Sequence, residues 1–144
     1  MSCAVDANVL VYASNRSSPV HAQAVQFLAE RAAGSEILCV GWITLMAYLR
    51  IVTHPSLLAD PLSPLEAERN VGSLLALPNV RVLTEEDGFW DVYRTATRGL
   101  TVRGNLVPDA HLAALLLQHG VRTLYTTDVD FRRFDFLELR NPCE

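Results

Sequence analysis

The sequence predicts an α/β fold, with a single mainly parallel sheet of four to five strands and helices on both faces. Two observations carry that expectation. Short apolar strand-like segments alternate with stretches of helical periodicity along the whole chain, the pattern of strands joined by crossover helices. The 144 residues, 50% of them hydrophobic, contain no repeat, low-complexity tract or dividing linker. Residues 1–144 therefore read as one domain, long enough to close a core without a disulfide or metal staple.

The elements follow in order. Ser2–Val5 is a short apolar strand ending at Asp6, followed by a helical turn through Val9, Leu10, Val11 and Tyr12. Ser18-Pro19 reads as a helix start, with Ser at the N-cap and Pro at the first helical position. Val20, Ala24, Phe27, Leu28 and Arg31 then form a helical stripe that stops at Gly34. Residues 37–40 form a second strand, and Trp42–Val52 a mostly buried helix ended by His54-Pro55. Ser63-Pro64-Leu65-Glu66 is a capping box opening a helix over 64–77. Val80–Leu83 is the third strand, and the acids of residues 84–87 are placed to cap the next helix. A loop over 99–107 leads to Pro108-Asp109, which opens a helix over 110–119 closed by Gly120. Residues 121–126 give the fourth strand, 128–130 a turn, and 136–139 the candidate fifth strand.

Composition removes several function classes. The 12 basic residues are all Arg, so P-loop phosphate binding, Schiff bases and Ser–Lys dyads are closed. A formal net charge of −4 argues against holding nucleic acid by bulk charge alone. Cys3, Cys39 and Cys143 are scattered, without a C-x-x-C, and fit reduced thiols and a cytoplasmic location. The opening residues lack the basic region of a secretory signal, and no apolar run approaches the ~18 residues of a membrane span.

In parallel sheets ligands bind beyond the carboxyl ends of the strands. Asp6 ends the first strand and Asp128 follows the fourth, while Asp109 sits in the first turn of a helix. If that helix begins at the same edge, three carboxylates from distant points converge, and Asp130 can join them. Such anions repel and raise one another's pKa values unless a hard divalent cation such as Mg²⁺ or Mn²⁺ takes their oxygens. That ion can activate water and clamp a phosphodiester. Each acid also has a plainer role: Asp6 as a cap, Asp109 at a helix dipole, Asp128 in an Asx-turn.

The residues Asp6-Ala7-Asn8-Val9-Leu10-Val11-Tyr12 resemble the opening D-x-N-x-L-x-Y of PIN-domain ribonucleases. Pro108-Asp109-Ala110-His111-Leu112-Ala113-Ala114 resembles their P-D-A-x-L-A-A segment, and Thr126-Thr127-Asp128-Val129-Asp130-Phe131 their closing T-x-D-x-D-F. The run from Arg50 to Pro55 resembles one in the VapC toxin branch of that family. The resemblance implies an α/β/α sandwich, Mg²⁺- or Mn²⁺-dependent endoribonuclease activity on RNA, a VapB-like antitoxin and a homodimer. It implies metal ligands at Asp6, Asp109 and Asp128, with Asp130 assisting, and polar support from Asn8 and Thr127. Where the family places a Glu two residues before a Leu-Arg pair, this chain has Ala47. That departure keeps a second reading open: a catalytically weak or silent PIN-like module that binds RNA or an antitoxin.

Asn105 reads first as part of a turn and second as a group behind the ligands. Arg98 and Arg103 flank the loop before Asp109, and Arg132 and Arg133 follow Asp130. They are either solvated surface or a basic rim holding RNA phosphates around the acidic centre. His21, His54, His111 and His119 lack ligand spacing and read as structural. Trp42, Phe27, Phe89, Trp90 and Tyr93 read as core or helix-face residues, or as part of an apolar groove for a partner. An aspartyl-phosphate enzyme is disfavoured, because Asp6-Ala7-Asn8 lacks the second acid of its D-x-D and no Lys is present.

Overall fold

The computed structural model describes the whole chain, Met1–Glu144. Five strands form one sheet, and every adjacent pair is parallel: β1 (Ser2–Val5), β2 (Ile37–Gly41), β3 (Val80–Leu83), β4 (Thr123–Tyr125) and β5 (Glu138–Arg140), in the order β3-β2-β1-β4-β5. The central strand β1 buries successive residues on both faces, with Cys3, Ala4 and Val5 all 1% exposed or less. Alternation along the pleat sends Cys3 and Val5, with Leu38 and Val40, to one layer, and Ala4, Cys39 and Leu124 to the other.

The first layer holds α1 (Ala7–Ser14), α2 (His21–Ala33), α3 (Trp42–Val52) and α4 (Pro64–Leu75). The second holds α5 (Phe89–Ala96), α6 (Leu106–Gln118) and a short 3-10 helix, Val129–Arg133, whose Phe131 is fully buried. The layers meet closely at Gly41, where an added Cβ would lie 2.9 Å from Leu115 Cδ2, so the step from β2 into α3 requires the missing side chain.

Several boundaries differ from the sequence expectations. Ser18 and Pro19 form a turn before α2 rather than its first residues: Val20 N–H donates to Ser18 Oγ at 3.3 Å and His21 N–H to the Ser18 carbonyl at 3.1 Å. Residues 84–87 do not cap α5, whose N-cap is Gly88 at φ 81°. Instead Gln118 holds that segment, accepting from Glu86 N–H at 2.9 Å and donating to the Glu86 carbonyl at 3.1 Å. The helix α6 starts at Leu106 rather than at Ala110, because Pro108 is tolerated in a first turn, where its missing N–H leaves no bond unmade. Residues 128–130 enter the 3-10 helix rather than an isolated turn. On α3, Trp42 and Met46 are 46% and 50% exposed, so that helix is half buried rather than mostly buried. Ser63 caps α4 as expected, its Oγ accepting from Glu66 N–H at 3.1 Å.

Candidate metal centre

Parallel strands deliver their carboxyl ends to one edge. Since β1 and β4 are neighbours, the residues just beyond them, Asp6 and Thr126, lie side by side. Asp6 N–H continues the ladder to the Tyr125 carbonyl at 3.0 Å. Asp6 is also the N-cap of α1, its Oδ1 accepting from Ala7 N–H at 2.8 Å. Thr126, 4% exposed, then organises the edge through a single hydroxyl. Its Oγ1 donates to Asp6 Oδ2 at 2.8 Å and accepts from Asp128 N–H at 3.0 Å and from Asn8 Nδ2 at 3.3 Å. Asp128 Oδ1 in turn accepts from Asp130 N–H at 2.9 Å, fixing the entry to the 3-10 helix.

Into this edge the first turn of α6 brings Asp109. Carboxylate oxygens of Asp109, Asp128 and Asp130 all lie within 4.8 Å of one another. Asp6, expected in the ligand set, is not part of that triad, whose third member is Asp130; both Asp6 oxygens accept hydrogen bonds, and its charge still acts on Asp109. Burial, then the charges of Asp128, Asp6 and Asp130, push the Asp109 carboxyl up from 3.8 to about 7. Burial also raises Asp6, with a smaller push from Asp128, while the bonds from Thr126 and Ala7 oppose the shift. The ion pairs of the molecule, Arg31–Glu36, Arg140–Glu138 and the contacts of His111 and His119 with Glu85 and Glu86, involve none of these four acids.

The donor set is all hard oxygen, and Asn8 Oδ1 is buried beside it in sequence without a hydrogen-bond partner. Crowded carboxylates with no protein cation to answer them fit a hard divalent ion such as Mg²⁺ or Mn²⁺, and no His or Cys in the cluster favours a softer metal.

Other expected site residues fall around this centre with different roles. Thr127 is half-buried and makes no bond to a carboxylate; it lines a shallow pocket with Arg132, Arg140 and Asn141. The hydroxyl that does the bonding belongs to Thr126, which strand alternation from buried Leu124 would have pointed to. Asn105 precedes α6, exposed and without a capping bond. Arg98 and Arg103 are exposed in the connection between α5 and α6, and Arg132 and Arg133 are exposed on the 3-10 helix; none is ion-paired. Ala47 lies half-buried in the second turn of α3, a helix with no acid of its own. All four histidines have local structural contacts: His21 to the Tyr12 carbonyl, His54 to Ser56 N–H, His111 to Glu85 and His119 to the Thr84 carbonyl.

A five-stranded parallel sandwich with acids gathered at its carboxyl edge is the layout of a PIN domain, and residues 3–137 match that family. Over 142 residues the chain is 43% identical to Ribonuclease VapC48 of Mycobacterium tuberculosis, covering 99% of this chain and 98% of that one. It is 32% identical over 138 residues to Ribonuclease VapC37 of the same organism, covering 96% and 95%. The chain belongs to the VapC ribonuclease branch of the PIN-domain family. Solved structures share the fold at lower identity. Mycobacterium tuberculosis VapC20, described as a sarcin-ricin loop cleaving toxin, superposes with a TM-score of 0.67 at 19% identity over 96% of this chain and 98% of that one. VapBC2 from Rickettsia felis, bound to a promoter DNA fragment, gives 0.66 at 18% identity over 98% of each chain.

Proposed function

We propose that this protein is a Mg²⁺- or Mn²⁺-dependent endoribonuclease toxin, held in check by a VapB-like antitoxin. The observation that carries the reading is the triad of Asp109, Asp128 and Asp130 within 4.8 Å, with the Asp6 charge acting on Asp109 and no ion pair to balance any of the four. Asp109, Asp128 and Asp6 would hold the ion, with Asp130 at the exposed rim. When bound, such an ion supplies Lewis-acid activation of water and charge neutralisation at the phosphodiester. The chain's own residues do the rest. Thr126 fixes the Asp6 carboxylate and the turn that carries Asp128, so the oxygens are oriented before substrate arrives. Asp130, the acid not assigned to the ion, is the available acceptor for a proton of the attacking water as its oxygen bonds to phosphorus; one P–O ester bond breaks, and the leaving oxygen takes a proton from solvent. Arg98, Arg103, Arg132 and Arg133, exposed and unpaired, form the local positive rim that an anionic protein needs to hold RNA phosphates.

The antitoxin and homodimer belong to the same proposal. The relatives' names support the ribonuclease activity, and the neighbour named VapBC2 supports a two-protein assembly. An apolar groove of about 270 Å³, lined by Leu10, Val25, Leu28, Val71 and Leu74 among others, fits the apolar face of a partner segment. No helix is long and apolar enough to cross a membrane. A silent binding module is the second reading, favoured by the lack of any acid on α3 at Ala47.

The deciding experiment is cleavage of total RNA by purified protein with EDTA, then with Mg²⁺ or Mn²⁺ restored. Metal-dependent cleavage that Asp109→Asn abolishes is the expected result. Metal-independent cleavage, or cleavage that survives Asp109→Asn, would overturn the ligand assignment; no cleavage with either metal would favour the binding module.

A further inference from the structure

We infer that the exposed face of α5 is a stacking platform for unpaired RNA bases, with Trp90 as its principal contact. This rests on the nuclease reading above and adds to it a path for the strand. Tryptophan is highly buried on average, yet Trp90 is 66% exposed. Its indole stacks offset on Tyr93, with ring centroids 5.6 Å apart and planes 10° from parallel. Arg94 follows Trp90 at i+4 on the same helix face, and Arg98 lies just past the end of α5, which closes at Ala96. Neither guanidinium meets a carboxylate in an ion pair. Together with Asp91 and Thr95 they line a shallow polar depression.

The position of α5 connects this face to the acids. The helix runs antiparallel to α6: Phe89 packs on His111 with ring centroids 5.4 Å apart, and Gln118, at the far end of α6, holds the Glu86 backbone. The chain then returns through 97–105 to Leu106. His111 stands two residues from Asp109, so the start of α5, with Trp90, lies alongside the acid-bearing end of α6, and Arg98 lies beyond it. Aromatic faces interleaved with arginines are how proteins hold single strands, each base gaining from stacking and each guanidinium from a phosphate or a ring. A protein partner seated on Trp90 would bury two arginines beside it with Asp91 as the one carboxylate of the depression. RNA supplies phosphates for both.

The test uses the full-length Asp109→Asn protein, which leaves RNA uncut, carrying Trp42→Phe so that Trp90 is the sole tryptophan. A single-stranded RNA octamer is titrated against its own duplex. The expected result is quenching of Trp90 emission by the single strand. Trp90→Ala, read by anisotropy of a labelled octamer, should weaken binding by about tenfold, the scale of one lost stacked base. Trp90→Phe should restore most of it. Affinity within twofold of the parent for Trp90→Ala, or no quenching, overturns the platform. So does a shift in sedimentation of Trp90→Ala with RNA affinity unchanged, which would assign the face to a second copy of the chain. Binding is read without catalysis, so a wild-type protein that fails to cut RNA would sink the nuclease reading and leave the platform to be judged by quenching.

Discussion

Where β2 and β3 begin, Arg31 Nη1 donates to Glu36 Oε1 at 2.9 Å, and Asn79 Nδ2 ties both residues by donating to the Arg31 and Glu36 carbonyls at 2.8 and 3.0 Å. The same guanidinium lies over the rings of Phe27 and Tyr125 at 5.6 and 5.7 Å. Where β1 and β4 end, on the opposite edge of the same sheet, four carboxylates crowd together and no arginine pairs with any of them. One edge neutralises its charge from within the chain; the other leaves repulsion standing, which only a proton or a cation from solution can relieve. Stability and activity should therefore respond in opposite ways to mutation at the two edges.

The largest expected effect is at the acidic edge. Asp109→Asn should lower RNA cleavage by ~100-fold or more through loss of a ligand charge, while raising the melting temperature of the ion-free protein by relieving repulsion. Thr126→Val, which keeps the shape and removes the shared hydroxyl, should reduce Mn²⁺ affinity by ~10–100-fold in calorimetry. Retained affinity would mean that Asp6 and Asp128 are held by other means.

The pH dependence comes next. The folded pKa of Asp109, about 7, lies above its ordinary 3.8, so the folded protein binds the extra proton between those values. Stability of the ion-free protein should accordingly fall as pH rises through that window, and Asp6, raised in the same direction, adds to the slope. Thermal melts at about pH 5 and about pH 8 should show Mg²⁺ stabilising the protein only at the higher value, and Asp109→Asn should flatten the profile. The smallest effect belongs to the paired edge: Glu36→Gln should cost about 1 kcal/mol in denaturant unfolding and leave cleavage as it was.

Much of the fold was legible because the chain punctuates itself. Asp6 closes β1, Gly41 separates β2 from α3, His54-Pro55 follows α3, and Ser63-Pro64 opens α4. The misses came where neighbouring structure outranks local preference. Ser18-Pro19 has the chemistry of a helix start, yet the chain first turns there. The acids of residues 84–87 suit a cap, yet the amide of Gln118, 32 residues away, holds Glu86. At the site, the acids could be named from their places after strands and at a helix start, but the choice between Thr126 and Thr127 depended on which face of β4 each occupies. That was readable only once Leu124 was known to point inward. Ala47 was visible as a departure from a family pattern; its consequence for metal affinity belongs to the experiment.

The bond from Thr126 to Asp6 spans 120 positions of the chain, and Asp109 and Asp128 also come from its last third. A growing polypeptide carries Asp6 long before the neighbours that join it, because Asp109, Thr126 and Asp128 are all made more than a hundred residues later. The cluster is therefore complete only once β4 has joined β1 and carried Thr126 and Asp128 to the edge.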